Sequence, residues 1–247
     1  MGSYLSASTK KQIDDLVKYF VDNHSLVDGF LEQVLVHLRQ SKSLQHLIHT
    51  TRSRTKEPSH LREKLERKAK AAKISGQQFS ITPETLFTTV TDLAGIRLLH
   101  LHTSQISDIN KEIRSIFEEQ KFPLLEGPFA RTWDDEYREF FETIGVTTQK
   151  SPTMYTSVHY VIASGSRTTI TCEIQVRTLM EEVWGEVDHT INYPTPATSV
   201  ACREQIRALA RATSSATRLV DSIFATVKDI SEHAEAAAKP KKAKPRK

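Results

Sequence analysis

Apolar residues recur at helical spacing near the N-terminus. Ile13, Leu16, Val17, Phe20 and Val21 share one face of a predicted helix over 8–23, and Val27, Phe30, Leu31, Val34, Leu35 and Leu38 share one face of a second over 26–38. Residues 47–51 then read as a short strand, Arg52 to Lys56 as a basic loop, and Pro58 as the first turn of a charged helix over 58–74. Thr82-Pro83 has the form of an N-cap with proline at the first helical position, which predicts a short helix ending near Val90. Ile96 to His102 reads as a strand, followed by a helix over 104–117. Between 119 and 153, Pro123, Gly127, Pro128 and Pro152 break the pattern and leave one short helix at 134–143. Tyr155–Ala163 and Thr168–Val176 are β-rich runs joined through Ser-Gly-Ser-Arg, an antiparallel hairpin by pattern. A helix over 178–190 turns Leu179, Met180, Val183, Trp184 and Val187 inward, and a long one over 197–233 carries Ile206, Leu209, Val220, Ile223 and Phe224. The sum is an α+β fold, a mixed sheet of four to five strands flanked by helices with helical extensions at both ends. The expected divisions are an N-terminal helical extension over 1–46, a main domain over 47–193, a C-terminal helix over 194–236 and a tail over 237–247.

Charge changes this picture at one end only. The formal net charge is +4, yet six of the 34 Lys and Arg residues sit in Lys239–Lys247, and the remainder holds 28 against 30 acidic residues. Such a Lys/Pro segment buries no apolar surface and is expected to be disordered, serving as a solubilising end or as a weak, salt-sensitive contact with RNA. No apolar run approaches the roughly 20 residues that span a bilayer. The opening Met-Gly-Ser-Tyr-Leu-Ser lacks a charged segment followed by an apolar one, so the cytoplasm is the expected location. Cys172 and Cys202 give neither a disulfide framework nor a zinc spacing.

Three segments carry chemistry. In Cys172-Glu-Ile-Gln-Val-Arg-Thr178, alternation puts Glu173, Gln175 and Arg177 on one strand face and Ile174 and Val176 on the other. A carboxylate, an amide and a guanidinium suit the lining of a cleft that holds a metal ion and phosphates. Asp92, in Thr91-Asp-Leu-Ala-Gly-Ile-Arg97, precedes a strand and with Glu173 would make a two-carboxylate Mg²⁺ site, the usual protein share when substrate phosphates complete the coordination. Arg54, Lys56 and Lys64 can converge on one polyphosphate, although the same stretch also reads as a solvated helix face paired with Glu63 and Glu66. In Met154-Tyr-Thr-Ser-Val-His-Tyr160, Tyr155, Ser157 and His159 alternate, with Tyr155 offering a stacking surface to a purine and the other two hydrogen bonds to phosphate or ribose.

Taken together, from about Leu47 to Tyr193, these segments resemble the synthetase domain of the RelA/SpoT family, the enzymes that make the alarmones (p)ppGpp. The family's Arg-x-Lys followed by a helical Lys is similar to Arg54, Lys56 and Lys64, its Asp-Leu-Ala-Gly-x-Arg to Asp92–Arg97, and its Tyr-x-Ser-x-His to Tyr155, Ser157 and His159. Its Glu-x-Gln-x-Arg-Thr matches Glu173, Gln175, Arg177 and Thr178, with Trp184 and His189 downstream. The hydrolase half of the long members has no counterpart, since no His-Asp dipeptide occurs. The resemblance implies a nucleotidyltransferase-like sheet and transfer of the β,γ-pyrophosphate of ATP to the ribose 3′-OH of GDP or GTP. It implies Asp92 and Glu173 on Mg²⁺, with Glu173 also taking the hydroxyl proton. Arg54, Lys56, His60 and Lys64 would hold ATP, with Arg54 stacking on adenine and His60 standing where the family often has Ser. Tyr155, Ser157, His159, Gln175 and Arg177 would hold the acceptor.

Departures from the family pattern leave the acceptor open. The Lys-Pro-Asn-Gly ahead of the acceptor Tyr is here Ser151-Pro-Thr-Met154, and Thr156 stands where many nucleotide-using members carry a basic residue. The alternative implied is a toxin of a toxin–antitoxin pair that pyrophosphorylates the 3′ end of tRNA and blocks translation. A catalytically silent binding module is a third reading, which the presence of both Asp92 and Glu173 argues against. The terminal helices carry enough apolar positions to pack on the domain, on a second copy or on a protein antitoxin; no membrane partner is expected.

Overall fold

The computed structural model describes residues 5–192 and 199–238. Tyr193 and the basic tail from Lys239 on therefore lie outside the described residues. Three helices open the chain, α1 (Ala7–Asp22), α2 (His24–Gln40) and α3 (Lys42–Leu47). Ser6 and Ser41 cap α1 and α3, each accepting a backbone N–H three residues on, at 3.1 Å. The apolar stripes of α1 and α2 are buried as their spacing predicts, except Val21, which lies at the edge of the α1 stripe and is 50% exposed, and they join one continuous core with the sheet through residues such as Phe20, Leu35, Leu65, Phe87 and Ile174. Tyr160 lies in this core, its hydroxyl donating to Asn110 Oδ1 at 3.0 Å, so the buried phenol keeps a partner.

The sheet has six strands, β1 (Thr50–Thr55), β2 (Ala94–His100), β3 (Leu124–Thr132), β4 (Thr147–Lys150), β5 (Ser157–Ala163) and β6 (Thr171–Thr178). Their order is β1-β2-β6-β5-β3-β4, mixed as expected. The pairs β2·β6 and β3·β4 are parallel and the other three antiparallel. Six rather than four or five strands result because pairing, not apolar alternation, defines the edges. The basic segment expected as a loop is β1, an edge strand that leaves Arg52, Ser53 and Arg54 exposed, while Leu47 closes α3 instead of opening a strand. β4 is Thr-Thr-Gln-Lys at the other edge, and β3 is broken by register shifts around Gly127. The expected hairpin is β5·β6, with β5 starting at Ser157, so Tyr155 and Thr156 belong to its approach.

Between the strands lie α4 (Pro58–Ile74), α5 (Pro83–Thr89), α6 (Ile106–Glu119) and α7 (Asp135–Thr143). The chain ends in α8 (Leu179–Asn192) and α9 (Val200–Ala238). On α8 the inward face differs from expectation: Val183 is 54% exposed, while Glu181 and Glu182 are buried beside Trp184. Glu182 is drawn inward by pairing with arginines of the sheet. The first half of α9 packs through Ile206 and Ala210 on Trp184, whose indole N–H donates to the Ile206 carbonyl at 3.1 Å. Asp134, just ahead of α7, accepts from Ser214 Oγ at 2.8 Å and pairs with Arg218, which fixes the middle of α9. From Ser222 to Ala234 every residue is exposed, Ile223 and Phe224 included, although the Phe224 ring stacks on His102 with centroids 4.2 Å apart. No described helix is long and apolar enough to cross a membrane.

Two features of this frame are directly testable. Gly127 has φ +91°, and a Cβ built there would stand 2.2 Å from the His159 carbonyl oxygen. Only glycine admits that approach of β3 to β5. Gly127→Ala is expected to destabilise the fold by about 1–3 kcal/mol, read as a lower Tm, and to impair any activity that uses His159; a melt like that of the parent would contradict this.

The second is Glu181, whose Oε1 and the Nε2 of His100 have no partner among the described residues and border a buried space of about 20 Å³. Burial pushes Glu181 up to about 8, against the pull of Arg177, and pushes His100 down to about 4. The folded chain thus keeps a proton on Glu181 that the unfolded chain releases above the ordinary 4.5, so this residue costs stability progressively as pH rises from about 4.5 to about 8. Glu181→Gln is expected to raise Tm near pH 8–9 relative to the parent, with the difference shrinking toward pH 5. Parallel Tm curves across that range would contradict it.

Candidate active site

One cleft on the sheet carries the expected chemistry, and it has two lobes. The larger encloses about 520 Å³ and the smaller about 230 Å³. Asp92, Arg97, Glu173, Gln175 and His189 line both. The alternation in β6 holds as predicted: Glu173, Gln175 and Arg177 face the larger lobe, and Ile174 and Val176 are buried behind them. Asp92 stands in the turn before β2, whose Gly95 pairs with Glu173 in the parallel ladder. Two acids distant in sequence thereby line the junction of the lobes together, and the charge of Asp92 acts on Glu173.

Both carboxylates are held by partners. Lys56 follows β1, anchored by its backbone N–H to the Leu93 carbonyl at 2.8 Å, and its Nζ lies 2.9 Å from Asp92 Oδ2. Lys64, from α4, approaches Asp92 Oδ1 at 2.7 Å. Burial favours the protonated form of Asp92, but the two ammonium groups outweigh it and hold the carboxyl below its ordinary value. Glu173 accepts from His159 Nδ1 at 3.0 Å and from Gln175 Nε2 at 3.1 Å. Burial and the charge of Asp92 oppose ionisation there, yet the His159 and Gln175 contacts prevail and its pKa is lowered. Both are therefore carboxylates at neutral pH. Among the described residues no group of three or more His, Cys, Asp or Glu could hold a metal. Two hard oxygen donors beside lysine and arginine side chains do match what Mg²⁺ takes from a protein when substrate oxygens fill the rest of its shell.

The larger lobe offers a stacking surface and waiting polar atoms. Tyr155 is half-buried, its hydroxyl donating to Gln175 Oε1 at 3.3 Å and its ring centroid 5.7 Å from the Arg177 guanidinium. Burial raises the pKa of its phenol. His159 lies parallel to Phe129 with ring centroids 5.2 Å apart, which locks its imidazole plane. His159 Nε2 and Arg177 Nε are buried without a partner among the described residues. Buried polar atoms are rarely left in that state unless a ligand or water completes them.

Several expected residues fall elsewhere. Arg54 lines the smaller lobe and Lys64 the larger, whereas Lys56 reaches the site only through Asp92, and His60 lines neither lobe. Ser157 is fully buried and donates to the Val176 carbonyl at 3.2 Å, so it braces β5 against β6 instead of facing the cleft. Thr156 points away as well, its hydroxyl 3.0 Å from that of Thr132. Sequence reasoning missed Phe129 and Arg131, which line the larger lobe from β3. Their two-residue spacing was the available signal, masked by Gly127 and Pro128 just before them. It also missed Glu182, a carboxylate on the buried side of α8.

Comparison with known proteins agrees with this geometry. The profile of the region found in RelA and SpoT proteins matches residues 53–198, more than half of the chain. No curated protein sequence matches significantly. Among solved structures, the small alarmone synthetase 1 from Bacillus subtilis is similar at a TM-score of 0.61 and 18% identity, over 87% of this chain and 99% of that one. The same synthetase bound to its product pppGpp matches at a TM-score of 0.56 and 18% identity, over 85% and 97%. A GTP pyrophosphokinase family protein from Streptococcus pneumoniae matches at 0.54 and 18% identity, over 90% and 97%. Those likenesses are of fold, and the domain match supplies the lineage: the chain belongs to the RelA/SpoT family of pyrophosphokinases.

Proposed function

We propose that this pyrophosphokinase transfers the β,γ-pyrophosphate of ATP to the ribose 3′-OH of a purine nucleotide, GDP or GTP, giving (p)ppGpp. The observation that carries the reading is the two-lobed cleft with Asp92 and Glu173 at its junction, where a donor in one lobe would meet an acceptor in the other. Similar structures are described as bound to AMPCPP and to pppGpp, an ATP analogue and an alarmone.

In this reading ATP occupies the smaller lobe, with Arg54 against the adenine. Lys56 and Lys64, which neutralise Asp92 in the free protein, turn to the phosphates as these arrive. Asp92 and Glu173 would hold Mg²⁺, which when bound would supply neutralisation of the charge that builds on the transferred phosphoryl oxygens. The acceptor base stacks on Tyr155, and His159 Nε2 and Arg177 complete their bonding on its polar groups. Glu173, ionised at neutral pH, is placed to take the 3′-OH proton at its carboxylate. What remains for the protein is alignment of hydroxyl and phosphorus, the dominant demand of phosphoryl transfer.

The second reading, transfer to the 3′ end of tRNA, is favoured by one observation. Position 156 faces Thr132 and supplies no contact to an acceptor's 5′ phosphates. Against it, Arg131 lines the larger lobe and gives a cation to such phosphates from β3. The nucleotide reading therefore stands first. Cytoplasmic location accords with either substrate.

Asp92→Asn and Glu173→Gln are each expected to lower kcat by about a thousandfold or more while the thermal melt stays near that of the parent. Tyr155→Ala is expected to raise the acceptor KM more than the ATP KM, as steady-state kinetics with each substrate varied would reveal. With γ-labelled ATP and GDP, GTP or bulk tRNA as acceptors, label should appear in the guanine nucleotide; label on tRNA alone would select the second reading, and label on none would reject both.

A further inference from the structure

Glu182 has no role in the scheme above, yet it pairs with three arginines that line the cleft. Its Oε1 lies 3.2 Å from Arg52 Nη1 and 3.2 Å from Arg97 Nη1, and its other oxygen pairs with Arg177. Those arginines come from β1, β2 and β6, three neighbours in the sheet. Arg97 lines both lobes, Arg52 the smaller and Arg177 the larger. The side chains of Glu182 and Arg177 are only 7% and 3% exposed, so the pair is little screened by solvent. One turn further along α8, a Cβ on Gly185 would stand 2.7 Å from Arg177 Nη1. Arg177 thus lies in a slot, with the Glu182 carboxylate at one end, bare helix backbone beneath and the Tyr155 ring alongside.

We propose that Glu182 is a positioning residue for pyrophosphate transfer: with Gly185 keeping the slot clear, it holds Arg177 and Arg97 at fixed places on either side of the lobe junction. The inference rests on the proposed reading of the cleft. Three guanidinium groups beside a polyphosphate site would, without Glu182, migrate to the nearest phosphate oxygens of the bound ground state. Binding would then tighten while alignment at the reacting atoms is lost. Interactions spent on the ground state do not accelerate chemistry. A merely structural carboxylate would instead lower turnover in proportion to the folded fraction and tighten no ligand.

The experiment compares Glu182→Gln, Glu182→Asp and Gly185→Ala with the parent enzyme, varying each substrate and recording thermal melts. In Glu182→Gln, kcat should fall about tenfold or more, the size typical of losing an outer supporting contact. KM for ATP should stay level or fall, because the cleft gains net positive charge. Glu182→Asp should recover part of kcat. An unchanged kcat in Glu182→Gln overturns the proposal, as does a fall in kcat that tracks loss of folded protein with Asp no better than Gln. Should Glu182→Gln fail to fold, Gly185→Ala decides: alanine favours the helix, so the melt should not fall, yet kcat should drop severalfold as Arg177 is displaced. Parental kinetics there overturn the proposal. If the parent transfers label to no acceptor, the reading of the cleft fails by itself. The Glu182 contacts are then judged by binding of a non-hydrolysable ATP analogue, expected severalfold tighter in Glu182→Gln or, failing folding, weaker in Gly185→Ala; an affinity equal to the parent's overturns the role.

Discussion

Because β2 and β6 run parallel, in register from Ala94 against Cys172 to His100 against Thr178, the approach to one strand lies beside the first residues of the other. Everything chemical in the cleft follows from that ladder. It sets Asp92 near Glu173, turns Glu173, Gln175 and Arg177 to one side, and sends the chain from Thr178 directly into α8, where Glu182 meets the arginines of the sheet. A one-residue slip would exchange those three side chains for Ile174 and Val176. The burial of both apolar residues against the core is thus what fixes the polar face.

The cleft is assembled with its charges already matched. Asp92 has two lysines, Glu173 a histidine and an amide, and Glu182 three arginines. Such matching lets charged groups be withdrawn from water before any ligand arrives, which an isolated charge in that position would resist. On the proposed reading, ligand binding would proceed by exchange of partners, with phosphates competing against carboxylates for cations.

Where side-chain periodicity coincides with burial, the sequence was readable. The stripes of α1 and α2, the hairpin of β5 and β6 and the alternating face of β6 all emerged from spacing alone. Legibility failed where backbone pairing did the organising. β1 and β4 are polar edges with no buried face to announce them, and β3 is interrupted at Gly127, whose contact with β5 is a matter of backbone geometry. Of the residues that motif spacing singled out, Asp92, Glu173, Tyr155 and His159 line the cleft, whereas the Ser157 hydroxyl is turned to the Val176 carbonyl. Glu181 and Glu182 escaped notice since a buried acid in a helix is recognisable only once its partners across the fold are known.

Tyr155 is held differently from the acids it serves. Glu173 is within a ladder and Asp92 is clamped by two lysines, but the aromatic ring stands on the non-strand segment leading into β5. Replacing residues of that short entry can reshape what rests on the ring without disturbing the ladder that assembles the reactive centre. On the proposed reading, acceptor choice would thus be separable from the ladder that assembles the carboxylates.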